Sequence, residues 1–218
     1  GIVLFVVPRQ YTELIIGVLL VAGAWEWSGF LGTSGAGMRL VYTAIVAVAL
    51  SLIYFVIPEK TTLVLQIGCV WWCLAFFWNL RFPTPIPAAL RWISGLLVIV
   101  PLYAALVSLL RLGVEYLIFT LLIVWAADAG AYFAGKKFGR VKLAPAISPG
   151  KTWEGVVGGL LLVAVLATGV AVWRDVSPAV LLPFCLAVAA ISIVGDLTVS
   201  MFKRTAGVKD SGALFPGH

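Results

Sequence analysis

Seven long apolar runs fill most of this chain, and short polar breaks separate them. They cover Tyr11–Leu31, Met38–Ile57, Thr62–Leu80, Ala88–Ser108, Val114–Ala134, Gly155–Trp173 and Pro178–Leu197, and a shorter run, Ile2–Val7, precedes them. A helix needs roughly 20 apolar residues to cross the hydrocarbon core of a bilayer. A strand of a transmembrane β-barrel alternates apolar and polar positions, and these runs do not. The pattern therefore predicts an all-α, polytopic transmembrane helix bundle of about eight spans, each near the length a bilayer demands. Gly1 already lies in an apolar stretch and the chain stops at His218, so both ends are expected to be cut. Ile2–Val7 then reads as the end of a first helix.

The breaks divide the chain into three regions. Residues 1–82 hold the N-terminal helices and residues 83–134 the middle helices. Residues 135–218 hold a basic loop, two helices and a C-terminal segment dense in charge. Pro83-Thr84-Pro85-Ile86-Pro87 is expected to be a stiff, extended connector. No internal repeat of the kind that marks many transporters is visible.

Composition sharpens this picture. Hydrophobic residues make up 62% and charged residues 11%, against about 25% charged in a soluble domain. The 15 Lys and Arg are unevenly placed. One set of alternate loops holds Arg39, Arg81, Arg91, Lys136, Lys137, Arg140, Lys142, Lys151, Lys203, Arg204 and Lys209. The opposite loops hold only Arg9, Lys60, Arg111 and Arg174. The positive-inside rule puts the richer side in the cytoplasm. A multi-pass membrane protein is expected, with any site on the basic loops facing the cytoplasm. The net charge of +6 is then topological, and with no soluble basic domain to present it, nucleic acid is not a partner. Cys69, Cys73 and Cys185 lie inside apolar runs, and Cys69 and Cys73 do not have redox-pair spacing. His218 is the single histidine, so a histidine-based metal site or a Ser-His-Asp triad is excluded within this chain.

Charge inside the apolar runs is the remaining signal, because ionisable groups are costly there unless they serve a site. In the first region only Glu13 and Glu26 qualify, and Glu26 between Trp25 and Trp27 reads as an interfacial carboxylate in reach of water. In Trp125–Gly139, Asp128 lies roughly 10 Å inside the helix end at 1.5 Å per residue. Tyr132 and Gly135 share its face, with Lys136 beside them. An interhelical hydrogen bond is the structural alternative for Asp128. Ser148-Pro149-Gly150-Lys151-Thr152-Trp153-Glu154-Gly155 resembles a P-loop, but Pro145 stands where the first glycine belongs. Its physics is still suited to phosphate: free N–H groups at a helix start, the Lys151 cation, and the Ser148 and Thr152 hydroxyls. Asp196 closes the last run. If that helix continues, Lys203 returns to the same face, with Arg204 beside it, and Lys209-Asp210 follow in a turn. Binding of anionic lipid headgroups would explain these cations but not Asp196. Carboxylates beside cations at headgroup depth suit Mg²⁺ bridging phosphates.

The Ser148–Gly155 and Ser200–His218 segments resemble the bacterial CDP-diacylglycerol synthase (phosphatidate cytidylyltransferase) family. Ser200, Lys203-Arg204, Lys209-Asp210 and Pro216-Gly217-His218 follow the family's order and spacing, and Trp125–Gly139 is similar to its middle motif. The Gly-Gly and Asp-Arg-x-Asp that should follow His218 are absent, so the site is expected to be incomplete. The resemblance implies transfer of a nucleotidyl group from CTP to phosphatidic acid in phospholipid synthesis, giving CDP-diacylglycerol and pyrophosphate. It implies Asp196 and Asp128 as Mg²⁺ ligands with Lys151 in catalysis. Ser148, Thr152, Lys136, Ser200, Lys203, Arg204, Lys209, Asp210 and His218 would bind CTP and the lipid among membrane lipids. Homodimerisation is compatible with the sequence. A CTP-dependent polyprenol or lipid kinase and a membrane transporter remain open alternatives.

Overall fold

Hydrophobic runs become helices because a bilayer gives the backbone no other hydrogen-bond partner. The computed structural model describes residues 7–32 and 35–207. Its helices are α1 (Arg9–Trp27), α2 (Ala36–Ser51), α3 (Thr61–Arg81), α4 (Ala88–Leu112), α5 (Val114–Phe138), α6 (Trp153–Trp173) and α7 (Pro178–Thr205). Among the described residues these seven helices are long and apolar enough to cross a membrane. The all-α, polytopic expectation holds. The Ile2–Val7 stub falls almost wholly outside the described residues.

Two helices on the basic side run past their hydropathy boundaries. α5 runs on from Ala134 to Phe138, and α7 from Leu197 to Thr205. Hydropathy stops at the first polar residue. The backbone ladder does not, because Lys and Arg are good helix formers and favour the negative end of the helix dipole. α2 is shorter than its run and closes in a π-helical turn, Leu52–Val56.

A feature without a sequence expectation is a small antiparallel hairpin between α5 and α6. β1 (Lys142–Ala144) pairs with β2 (Ser148–Thr152), Lys142 opposite Thr152 and Ala144 opposite Ser148. Ile147 in its turn is buried at 2% exposure. The Trp153 amide donates to Val141 O at 2.9 Å. The Glu154 carboxylate accepts from the Val141 amide at 3.1 Å and 3.2 Å.

The chain forms two compact units. The first contains the described residues of Gly1–Leu74, Thr84–Leu117 and Phe202–His218. Large aromatic side chains fill it: Trp27 packs on Phe30 and on Phe202, with centroids 5.6 Å and 5.1 Å apart. Gly95 lets α4 approach them, since a Cβ there would collide with the Tyr42 hydroxyl and the Trp27 indole. Two arginines take up carbonyls at the end of α1. Arg39 donates to Trp25 O at 3.0 Å and Ser28 Oγ at 2.8 Å. Arg91 donates to Phe30 O at 3.2 Å. Glu26, expected in reach of water, is buried. Glu13 is also buried, and Arg111 donates to both its oxygens at 3.0 Å and 3.2 Å.

The second unit contains Ala75–Pro83 and Ile118–Met201. Small residues build its core. The buried positions of α6 are Gly155, Gly159, Val163, Ala167 and Ala171, one on every turn. Val163 and Ala167 pack with Ile123 and Ala127 of α5 and with Cys185 and Ala189 of α7. Cys185 therefore serves as a small apolar packing residue. Without a hydrophobic drive between helices in lipid, such small faces associate by close van der Waals contact.

Candidate active site

The close packing of α5 on α6 sets the geometry of the site. A Cβ on Gly130 would stand 2.5 Å from Gly158 O and 2.9 Å from Gly159 Cα. Only glycines permit this approach. It holds the face of α5 that carries Asp128, Tyr132 and Lys136 beside the start of α6 and the hairpin strand that leads into it.

Thr152 ends that strand and caps α6. Its hydroxyl accepts from the Gly155 amide at 3.1 Å, filling one of the orphan donors of the first turn. The same side chain packs on α5, because a Cβ at Gly135 would meet Thr152 Oγ1 at 3.2 Å. With Thr152 fixed, the neighbouring Lys151 is aimed at α7, where it forms an ion pair with Asp196.

These elements surround a cavity of about 400 Å³ whose lining includes Asp128, Tyr132, Lys136, Lys151, Thr152 and Asp196. Asp128 is exposed to it and not shut into a helix interface. Lys136 Nζ donates to the Tyr132 hydroxyl at 3.5 Å and lies 5.6 Å from that ring's centroid. The Lys151 side chain is 28% exposed and that of Asp196 59% exposed. A pair this open to its surroundings contributes little to stability, so its charges stay free to exchange partners. Two carboxylates and two ammonium groups line one half-open cavity.

Of the residues singled out in the sequence, Asp128, Lys136, Lys151, Thr152 and Asp196 meet at this cavity. Ser148 is paired with Ala144 in the hairpin and is not part of the lining. Ser200, Lys203 and Arg204 follow Asp196 on α7, the two cations in its last turn. Lys209, Asp210 and His218 lie outside the described residues. Among the described residues, no group of three or more His, Cys, Asp or Glu comes together. Two carboxylates are nevertheless a sufficient protein share for Mg²⁺, which keeps waters and takes further oxygens from substrate phosphates. The donor set at the cavity fits that ion.

Sequence reasoning missed Glu154 as the hairpin's anchor and Asn79 as a polar group of this unit. Asn79 Nδ2 donates to Thr198 Oγ1 at 2.9 Å. A lone amide between Trp78 and Leu80 gives no periodic or motif signal that could have found it.

The whole chain, residues 1–218, matches the cytidylyltransferase family. It is 41% identical to the phosphatidate cytidylyltransferase of Pseudomonas aeruginosa over 98% of this chain and 82% of that protein. It is 34% identical to the phosphatidate cytidylyltransferase of Haemophilus influenzae over 99% of this chain and 85% of that protein. A Staphylococcus aureus protein of the same name is 45% identical over 49% of this chain and 42% of its own length. With a charged cavity set among membrane-spanning helices and a family match along its whole length, this chain belongs to the cytidylyltransferase family.

Proposed function

We propose that the protein is a phosphatidate cytidylyltransferase, converting CTP and phosphatidate to CDP-diacylglycerol and pyrophosphate. The observation that carries this reading is the cavity itself: Asp128, Asp196, Lys136 and Lys151 converge within a membrane-spanning unit. A water-soluble nucleotide and a lipid phosphate both find charge there. The names of the relatives supply the substrates, and the positive-inside rule puts the cavity at the cytoplasmic face of the inner membrane.

A phosphate oxygen of the lipid attacks the α-phosphorus of CTP in line. A new P–O bond forms, the bond from the α-phosphorus to the bridging oxygen breaks, and pyrophosphate leaves with that electron pair. No protein nucleophile is needed, so catalysis comes from positioning and charge neutralisation. Asp196 and Asp128 would hold Mg²⁺, and the ion would supply charge neutralisation for the phosphates and the leaving pyrophosphate. Lys151 neutralises Asp196 before substrate arrives and then turns its ammonium to the triphosphate. Lys136 takes phosphate oxygens from the α5 side. Thr152 keeps its hydroxyl proton for a phosphate oxygen while capping α6. The motif resemblance adds Ser200, Lys203, Arg204, Lys209, Asp210 and His218 as further substrate contacts, whereas Ser148, off the lining, serves the hairpin.

The test uses the full chain in lipid nanodiscs with CTP, Mg²⁺ and phosphatidate. Pyrophosphate release and a CDP-diacylglycerol mass, both dependent on phosphatidate, are expected. CDP together with a newly phosphorylated lipid alcohol would instead make the protein a lipid kinase. In the same assay Asp196→Asn is expected to abolish turnover with an unchanged melting temperature. Turnover surviving in that variant would remove Asp196 from metal binding.

A further inference from the structure

Beside the charged cavity, in the same unit, lies a second hollow of about 450 Å³. Its lining is almost wholly apolar and includes Phe76 of α3, Leu160 of α6 and Ala190 of α7. Leu143, Val156 and Ile193 line both this groove and the charged cavity. Apolar surface on a membrane-spanning helix needs no particular occupant, since lipid covers it. This groove differs by being concave and by sharing a wall with a charged site. A polar group, Asn79, stands in its lining. Asn79 donates through Nδ2 to Thr198, while its buried Oδ1 accepts no hydrogen bond.

We infer that this groove holds one acyl chain of the lipid substrate while the lipid phosphate occupies the charged cavity. The inference rests on the reading that the substrate is a phospholipid phosphate, and it assigns that substrate's chain to named residues. CTP has no alkyl part to fill the groove. Leu143, Val156 and Ile193 are common to both linings, so a lipid whose phosphate reaches Lys151 can pass its chain over that wall into this hollow. Contact with the chain is the same in the ground state and the transition state. It therefore governs KM and leaves kcat alone.

Ala190 is small, exposed and outside the charged cavity, so Ala190→Trp fills the groove without touching the charged groups. The full chain in nanodiscs is assayed with dioleoyl and with dihexanoyl phosphatidate. The variant is expected to raise KM for the long-chain lipid about tenfold, the effect of overpacking an apolar site by roughly 1–2 kcal/mol. Its kcat, and its kcat/KM for the short-chain lipid, are expected to stay at the wild-type level. Equal losses on both lipids, or no change on either, overturn the inference. A measurement without CTP keeps it separate from the activity. Phosphatidate with a photoreactive group at the chain end is expected to label peptides covering 143–160 and 190–197. Unlabelled phosphatidate competes that labelling away, and Ala190→Trp removes it. Labelling spread over outward residues such as Val165 and Phe184, indifferent to competitor, overturns the inference. Competed labelling of the groove in a protein that makes no CDP-diacylglycerol would sink the proposed reaction and leave the groove standing.

Discussion

The two units handle charge in opposite ways. In the first, each ionisable side chain described above is held by the fold: Glu13 by Arg111, and the carbonyls at the end of α1 by Arg39 and Arg91. Large aromatic rings pack together at the end of α1. In the second, Ala and Cys side chains pack around Ile123 and Val163, and the charges gather at one cavity in a pair exposed enough to open. A membrane protein puts charge in its interior at considerable cost. The first unit offsets that cost with fixed partners and gains rigidity. The second leaves partners to be supplied by a ligand. This is the physical difference between structural and functional polarity in this chain.

The comparison breaks most visibly at Lys151. Lys151→Ala is expected to lower kcat/KM about 1,000-fold, the scale on which preorganised charge stabilises a transition state. It should move the unfolding free energy by less than about 1 kcal/mol, because the pair it removes is open. Turnover assays and thermal melts in the same nanodiscs check both halves. A large fall in stability would make Lys151 a structural residue like Arg111.

Arg111→Ala is the mirror case. It leaves the buried Glu13 with only Arg9, at 3.8 Å, and Tyr54, and is expected to cost about 2 kcal/mol. The kcat of the protein that remains folded should stay at the wild-type level. Replacing both Arg111 and Glu13 by Leu is expected to recover most of the loss, since the penalty belongs to a buried carboxylate stripped of its two-pronged partner. A double variant as unstable as the single one would show that the pair is worth more than the desolvation it entails.

How far these roles could be read in the sequence depended on whether the cause was local. Apolar runs longer than a bilayer is thick give seven helices regardless of their neighbours, and Asp128 and Asp196 stand out because charge in such runs is rare. The hairpin was not legible. Ser148-Pro149-Gly150 is poor strand sequence, and the strand exists because Ile147 is buried and Glu154 holds the Val141 amide. The ion pair of Lys151 with Asp196 and the burial of Glu26 were equally hidden. Both depend on which helices pack together, and that is decided by small-residue faces such as Gly130 against Gly158 and Gly159.

Those faces give a smaller effect. Gly159→Ala places a Cβ 2.6 Å from Ala127 O, and a backbone oxygen cannot turn aside. Overpacking of this kind costs about 1–3 kcal/mol, and the better helix propensity of Ala returns roughly 1 kcal/mol. A net loss of about 1 kcal/mol is expected in equilibrium unfolding. At Gly169 on the same helix, an added Cβ would meet nothing within 4 Å. There the substitution to Ala should show the propensity gain alone, which separates the packing cost from any general effect of altering α6.

The smallest effect tests whether one residue belongs to both kinds of polarity. Thr152 caps α6 through Gly155 and lines the charged cavity. Thr152→Ala removes the cap and is expected to cost about 1 kcal/mol. Thr152→Val keeps the packing against α5 and loses the hydroxyl, whereas Thr152→Ser keeps the hydroxyl and the cap. If the hydroxyl only caps the helix, Ala and Val lower stability alike and kcat per folded protein is unchanged in all three. If it also donates to a substrate phosphate, Ala and Val lose kcat as well as stability, and Ser restores both. The second pattern is expected, because the cap uses the hydroxyl oxygen as acceptor and leaves its proton facing the cavity. Kinetics measured at temperatures where every variant is fully folded decide between them.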